Sequence, residues 1–325
     1  MYDRPSRMDA DVTHRRIIVV LGMHRSGTSA IARGVKALGV NLGTRLMPPA
    51  SGNNDRGFWE DIDISRLNRR ALAALGCDWD SIRWIVPSDF ASRKLERLQL
   101  KARALLESKF TGLEQFGFKD PRMSRLLPLW QAVFGQLGLE DQYVIALRNP
   151  LSVERSLAAR DGLKATHAQM LWLDHVVPLL RDTQHCSRLF VDYDLVLEPP
   201  EREIARLQAF LQLLPEASLD QDIREYTCHF LTTQLRHAKF DDDALRSAAH
   251  VPEVIAQLYD RLREFAQAPA RAPAVLDGLD FLEKKARALV TAHEAPGRQR
   301  GPLSRLVRRR ARRVLRMIST TLTQR

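Results

Sequence analysis

Cysteine is scarce in this sequence. The 325 residues contain three cysteines, Cys77, Cys186 and Cys228, which lie far apart along the chain. Neither the close paired spacing of a zinc site nor the even count of a disulfide framework is present. His185–Cys186 and Cys228–His229 are two adjacent pairs 42 or more residues apart, a spacing that matches no familiar metal site. We therefore expect reduced, mostly buried cysteines and no bound metal.

Long apolar runs are also absent. No stretch of 18 apolar residues occurs, and residues 1–16 mix acids with bases around no apolar segment. A membrane-spanning helix needs about 20 apolar residues, and a signal peptide needs an apolar centre. We predict a flexible leader over residues 1–15 and a cytoplasmic protein.

Acidic residues are missing from the end of the chain. Residues 298–325 carry ten arginines and no Asp or Glu, and subtracting these charges from the net charge of +11 leaves the rest at +1. Between Arg305 and Arg316 apolar residues interleave with the arginines. This pattern favours an amphipathic helix on an anionic membrane surface, at its inner face, over a nucleic-acid partner. A solvated tail over residues 295–325 is the alternative.

Short apolar runs alternate with helical patterns between residues 16 and 294. Ile17–Leu21 is a β-branched run suited to a buried strand, and a helical pattern follows over Thr28–Leu38. Further strands are predicted at 116–118, 143–147 and 188–194, and further helices at 61–75, 88–108, 151–160, 166–183, 199–214 and from 219 onward. Strands separated by helices favour one three-layer α/β domain, a mostly parallel sheet with helices on both faces and a helical C-terminal part.

The loop after the first predicted strand resembles a phosphate-binding loop. The stretch GMHRSGTS satisfies the Walker A pattern at every position except the lysine, where Thr28 stands. Gly22 and Gly27 let backbone N–H groups face an anion at the start of the next helix. Arg25 adds a cation, and Thr28 and Ser29 add hydroxyl donors. We predict a phosphate-containing ligand here.

The features that hold Mg²⁺ in a P-loop enzyme are missing. Such an enzyme needs the loop lysine and an acid after an apolar strand. The strand predicted at 143–147 ends in Arg148, which is a cation. The sequence therefore predicts that protein cations, with no metal, neutralise the ligand.

Two motifs in order resemble those of sulfotransferases that use 3′-phosphoadenosine 5′-phosphosulfate (PAPS). GMHRSGTS is similar to their 5′-phosphosulfate loop, and ALRNPLSVERS, with Arg148 and Ser156, is similar to their 3′-phosphate segment. The stretches DRGFWED and FGFKDPR resemble the bacterial branch of the family, and the likeness spans Ile17–Leu214. It implies a P-loop-like fold, PAPS as donor and 3′-phosphoadenosine 5′-phosphate (PAP) as product. The donor-binding residues that it implies are Gly22, Arg25, Ser26, Gly27, Thr28, Ser29, Arg148 and Ser156.

Sulfuryl transfer to a hydroxyl, of a carbohydrate or a glycolipid, is the function that this resemblance implies. Two other functions stay open. One is a P-loop kinase with a rearranged phosphate loop, and the other is a protein that binds nucleic acid through its basic tail and catalyses no reaction.

The proposed reaction needs a cation at the leaving oxygen and a base for the acceptor proton. Arg25 fits the first role. Glu60 is the first candidate for the base, since GFWED closes a loop over residues 41–59 that could fold over the cleft and raise the pKa of Glu60 by desolvation. An acid pair at a helix start is equally typical of dipole complementation. His24 and Asp120 are alternative bases, although His24 could point away from the loop and Asp120 could be only an ion-pair partner of Lys119 and Arg122.

Overall fold

Four parallel strands form the centre of the fold. The structure is a computed structural model that describes residues 15–51, 53–232, 239–270 and 277–294. Its strands are β1 (Arg16–Leu21), β2 (Gln115–Lys119), β3 (Glu140–Leu147) and β4 (Ser187–Asp192), in the order β2-β1-β3-β4. Val20 pairs with Lys119, and Leu147 pairs with Asp192. The carboxyl ends of the strands, and the polar residues that follow them, therefore lie at one edge of the sheet.

Helices cover both faces of this sheet. They are α1 (Thr28–Ala37), α2 (Ile62–Ala74), α3 (Arg93–Lys109), α4 (Leu127–Gln136), α5 (Pro150–Asp161), α6 (Ala165–Asp182), α7 (Tyr193–Leu197), α8 (Pro200–Leu211), α9 (Asp220–Arg224), α10 (Asp242–Ser247), α11 (Glu253–Gln267) and α12 (Leu279–His293). None of the helices in these described ranges is long and apolar enough to cross a membrane.

Alternation along the strands divides the core into two layers. Ile17, Val19 and Leu21 of β1 pack with apolar residues of α2, α3, α4, α6 and α11. Ile18 and Val20 point to the other face and pack with α1, α7 and α8. Both faces of a parallel sheet are buried in this arrangement, which is why its strands are apolar runs without polar alternation. The predicted three-layer α/β fold class is confirmed, and the described parts of the polar region after residue 219 are mainly helical, as expected.

The structure corrects two predicted boundaries and adds one helix. The helix predicted from 88 begins at Arg93, because Ser92 caps it with its side chain and 87–90 form a separate 3₁₀ turn. The strand predicted to reach residue 194 ends at Asp192, whose side chain accepts the N–H of Asp194 and starts α7. Helix α4 lies where no helix is predicted. The predicted leader before Arg15 and the tail from 295 lie outside the described residues.

Close packing around the glycine loop gives the first testable prediction. Gly27 has φ +83°, and a Cβ atom there would meet the buried Tyr193 ring at 2.1 Å. We expect Gly27→Ala to lower the free energy of unfolding by about 2–4 kcal/mol, because left-handed strain and overpacking add. Urea unfolding followed by circular dichroism measures the change.

Gly135 provides the matched control for this measurement. It lies in α4, and a Cβ atom added there would meet nothing within 4 Å. Gly135→Ala should raise the free energy of unfolding by about 0.5–1 kcal/mol, because helical glycine loses more entropy than alanine. Equal stability of the Gly27→Ala protein and the unaltered protein would contradict the packing argument.

Candidate active site

The glycine loop joins β1 to α1 at the carboxyl edge of the sheet. Gly22 has φ +141° and lies against β3, where an added Cβ would meet the Ala146 carbonyl oxygen at 2.9 Å. Gly27 stands at the N-cap of α1 and supplies no side-chain hydrogen bond. The first N–H groups of a helix have no intrahelical partner. Ser26 and Thr28 are buried beside them. The loop therefore has the geometry of an anion-binding helix start.

Arg25 links the glycine loop to the predicted 3′-phosphate segment. Its backbone is left-handed, with φ +71°, a conformation that costs free energy in a residue other than glycine. Its Nε donates to Ser156 Oγ at 2.8 Å, and one of its terminal nitrogens donates to the Asn53 carbonyl oxygen at 3.0 Å. Burial, with the nearby Arg160 and Arg148, lowers the pKa of Arg25 to about 10.

Arg148 is held between the loop and α7. Its Nη1 donates to the Arg25 carbonyl oxygen at 2.9 Å, and its guanidinium lies 4.8 Å from the centre of the Tyr193 ring. The residue is buried at the end of β3. The structure thus brings Arg25, Arg148 and Ser156 into one connected group, although 131 positions separate Arg25 from Ser156.

Lys119 belongs to the site. Its place after a predicted strand puts it at this edge of the sheet, but the sequence alone assigns it no role in binding the donor. The side chain is 2% exposed at the end of β2. Its Nζ donates to Ser29 Oγ at 3.1 Å, to the Phe58 carbonyl oxygen at 2.9 Å and to Glu60 Oε1 at 2.9 Å. Lys119 thereby brings a lysine charge to the loop from a neighbouring strand. The available signal was a lysine at the end of a predicted strand.

Glu60 is paired with two cations. Its oxygens accept hydrogen bonds from Lys119 and, at 3.4 Å, from Arg122 Nη1. Burial would raise the pKa of Glu60, but the charges of Lys119 and Arg122 outweigh it, so the pKa lies below its ordinary value. The expectation of a raised pKa for Glu60 is therefore wrong. The sequence does not show that Lys119 and Arg122 lie within hydrogen-bonding distance of Glu60.

Asp120 is fully enclosed in a hydrogen-bond network. Its Oδ1 accepts from the Arg122 N–H at 2.9 Å and from Arg122 Nη1 at 2.7 Å, and its Oδ2 accepts from Asn68 at 3.1 Å. Burial, helped by the charge of Glu60 and opposed by Arg122, raises the pKa of Asp120. The side chain caps the turn over 121–125 and pairs with a cation.

His24 lies in a different environment. Its ring centre is 4.7 Å from that of Trp79 and 5.9 Å from that of His175. In the described part of the chain, no hydrogen-bond partner lies near His24 Nε2. Burial, followed by the charges of Arg122, His175, Arg160 and Lys119, holds the pKa of His24 well below its ordinary value. The imidazole is therefore neutral at pH 7.

The segment over residues 53–59 packs directly on the glycine loop. Asn54 Nδ2 donates to Ser29 Oγ at 2.9 Å, and Ser29 Oγ donates to the Phe58 carbonyl oxygen at 3.2 Å. Trp59 is left-handed, with φ +56°. The prediction that the loop over 41–59 reaches the cleft is consistent with these contacts. Ser29 and Arg25 are the predicted donor ligands that this segment touches.

Metal-ligating side chains do not cluster in the described ranges: no group of three or more His, Cys, Asp or Glu residues could hold an ion there. The prediction that the reaction needs no metal stays a prediction. Cys77, Cys186 and Cys228 form no disulfide in the structure. Cys77 is buried, Cys186 is half-buried and Cys228 is exposed, so the expectation that the cysteines are mostly buried is wrong.

No family model matches the chain, and no curated protein matches it. Among solved structures, the chain is similar to the sulfotransferase domain from the curacin biosynthetic pathway, with 14% identity and a TM-score of 0.38, over 84% of this chain and 98% of that one. It is also similar to retinol dehydratase, solved in complex with androsterone and the inactive cofactor PAP, with 13% identity and a TM-score of 0.29, over 88% of this chain and 82% of that one.

Asp192, at the end of β4, makes the stability of this edge depend on pH. It is 1% exposed and accepts hydrogen bonds from the Asp194 N–H and, at 3.2 Å, from the Tyr259 hydroxyl. Burial raises the pKa of Asp192 to about 6 from an ordinary 3.8. Between these pH values the folded chain binds more protons than the unfolded chain, so stability falls as pH rises.

We expect Asp192→Asn to remove this dependence, because the amide keeps the shape and carries no charge. The free energy of unfolding of the variant minus that of the unaltered protein should therefore rise by up to about 3 kcal/mol from pH 4 to pH 7. Urea unfolding at both pH values measures this gain. Asp243→Asn, on the exposed surface of α10, is the control that should show no such gain. A difference that is constant with pH would contradict the account.

Proposed function

We propose that this protein is a PAPS-dependent sulfotransferase that transfers a sulfuryl group to a hydroxyl of a carbohydrate or glycolipid, without a metal. The observation that carries the proposal is the contact between the two motifs. Arg25 of the glycine loop donates to Ser156, and Arg148 donates to the backbone of Arg25. Both anionic groups of PAPS are on the same ribose, so two segments that bind them must lie close together, and these two segments are in contact.

The charges at this edge suit a ligand with two anionic ends. Lys119 and the start of α1 meet at Ser29, on the β2 side of the loop. On the β3 side, Arg148 and Ser156 are both hydrogen-bonded to Arg25. PAPS carries a phosphosulfate at its 5′ position and a phosphate at its 3′ position. Lys119, Arg25 and the start of α1 would bind the phosphosulfate, and Arg148 and Ser156 would bind the 3′-phosphate.

Transfer would proceed by in-line displacement at sulfur. Negative charge builds on the oxygen that bridges sulfur and phosphorus, and preorganised donors lower the barrier by stabilising it. Arg25 and Lys119 would supply cations, and the loop N–H groups would supply neutral donors. Both cations are buried or partly buried in this structure, where charge stabilisation is stronger than in water.

The residues at the carboxyl ends of the strands fit a sulfotransferase better than a kinase. β3 is the neighbour of β1, and Arg148 follows it where a P-loop kinase needs an acid for Mg²⁺. The acids at the strand ends are Asp192, which ends β4, and Asp120, which follows β2. Hydrogen bonds already engage the oxygens of both, from Asp194 and Tyr259 to Asp192 and from Arg122 and Asn68 to Asp120.

The nucleic-acid alternative depends on the arginines of the tail, which lies outside the described residues. We propose that Arg305–Arg316 instead bring a cytoplasmic protein to an anionic membrane surface, where a glycolipid acceptor would be available. The support for this placement is the interleaving of arginine with apolar residues.

Titration calorimetry with PAP, with ATP plus Mg²⁺ and with a DNA duplex separates the three functions. PAP should bind in the presence of EDTA, and ATP should not compete. Mg²⁺-dependent binding of ATP without binding of PAP would support the kinase instead. Binding of the duplex by a chain truncated after Glu294 would support a nucleic-acid function of the described domain.

Arg148→Ala tests the assignment of the 3′-phosphate. Loss of one charge-assisted hydrogen bond costs roughly 1.5–3 kcal/mol, so PAP binding should weaken about 10–100-fold. Binding of adenosine 5′-phosphosulfate, which lacks the 3′-phosphate, should change far less.

Arg188→Ala is the matched control for that variant. Arg188 is also a buried arginine, but it lies at the amino end of β4, where it donates to the Leu180 carbonyl oxygen and to Thr183. It should leave the affinity for both nucleotides unchanged. Equal losses for PAP and adenosine 5′-phosphosulfate in Arg148→Ala would show that Arg148 does not bind the 3′-phosphate.

A further inference from the structure

The three candidate bases differ in what their polar atoms contact. Both Glu60 oxygens accept from cations, Lys119 and Arg122. Both Asp120 oxygens accept hydrogen bonds, and the residue is 0% exposed. His24 is 8% exposed, and among the described residues its Nε2 has no hydrogen-bond partner. A buried nitrogen without a partner is costly, and a catalytic role is one explanation for it. His175 Nε2 also has no partner in the described part of the chain, but His175 is 0% exposed on α6, whereas His24 lies in the glycine loop.

His24 also has the right position. It directly precedes Arg25 in the glycine loop. Besides burial, four nearby charges lower its pKa. They come from Arg122 in the turn after β2, His175 on α6, Arg160 on α5 and Lys119 at the end of β2. The imidazole therefore lies among the cations at the carboxyl edge of the sheet, next to the residue proposed to contact the donor.

We propose that His24 is the general base of this protein and that Glu60 is a positioning residue that holds Lys119 and Arg122. The inference rests on the proposed function. In the transfer step the acceptor oxygen forms a bond to sulfur while the bond between sulfur and the bridging oxygen breaks. The electron pair of the broken bond leaves with PAP, and the acceptor proton moves to His24, which later releases it to water.

The surrounding cations explain how one residue can be neutral before the reaction and basic during it. Without a ligand, burial and the charges of Lys119, Arg122 and Arg160 oppose protonation of His24. The anionic donor would offset those charges, so protonation would become easier when the donor binds. By linkage, PAP binding must then be accompanied by proton uptake at His24.

Calorimetry of PAP binding at pH 6, in two buffers with different heats of ionisation, measures this uptake. The unaltered protein should take up a larger fraction of a proton per PAP than His24→Gln does. Titration of the phosphates of PAP itself is common to both proteins and cancels in the difference. His167→Gln is the matched control, because that ring hydrogen-bonds the Asp80 carbonyl oxygen outside the proposed site, and its uptake should equal that of the unaltered protein.

Conversion of PAPS to PAP, with water as the acceptor, gives the kinetic measurement. His24→Gln should slow it about 10²–10⁴-fold and abolish the fall in rate at acidic pH, while PAP affinity stays within a few-fold. Glu60→Gln should also slow the reaction, because Lys119 and Arg122 lose their partner, but the fall at acidic pH should persist. That difference separates the base from the residue that positions the cations.

Equal proton uptake in the unaltered protein and His24→Gln would overturn the assignment, as would an unchanged acidic limb in His24→Gln. If His24→Gln fails to fold, His24→Asn takes its place. Equal proton uptake in the unaltered protein and His24→Asn would then overturn the assignment in the same way. Failure of the unaltered protein to bind PAP would instead overturn the proposed function, so the two failures are distinguishable.

Discussion

The hydrogen bond from the Arg148 guanidinium to the Arg25 carbonyl oxygen is the contact on which the site depends. It fixes the left-handed backbone of Arg25 and ties the end of β3 to the loop after β1. The Tyr193 ring lies under Arg148 and also fills the space beside Gly27. Parallel pairing of β1 with β3 brings these residues together, so the anion-binding geometry follows directly from strand order.

Charge balance is the second constraint. Lys119 and Arg122 are buried or nearly so, and an isolated buried charge is costly unless it is paired and hydrogen-bonded. Glu60 and Asp120 supply the pairing, so the cations can stay in place before any ligand binds. The same pairing engages the oxygens of both carboxylates. His24, between these cations and Arg160, keeps a ring nitrogen without a hydrogen-bond partner among the described residues, as does the neighbouring His175, which lies deeper, on α6.

Local pattern was sufficient to predict the four strands, most of the helices and the glycine loop, because each depends on neighbouring residues. Helix α4 was not predicted, and the Arg148–Ser156 segment was identified by its resemblance to a known family. The role of Lys119 was missed because its contact with Ser29 depends on the pairing of β1 with β2, which no short stretch encodes. For the same reason the pKa of Glu60 was predicted in the wrong direction. The helix start at Arg93 was missed because the Ser92 cap decides it against a helical pattern that begins earlier.

The central claim is that the edge formed by Arg25, Lys119 and Arg148 binds PAPS and promotes transfer of its sulfuryl group. Incubation of the full chain with PAPS radiolabelled in the sulfuryl group, in EDTA, with a mixture of cell-envelope saccharides and glycolipids, tests it most directly. The account predicts label in a saccharide or glycolipid product and one PAP released per label transferred. Transfer of a labelled phosphoryl group from ATP with Mg²⁺, and no transfer from PAPS, would contradict it.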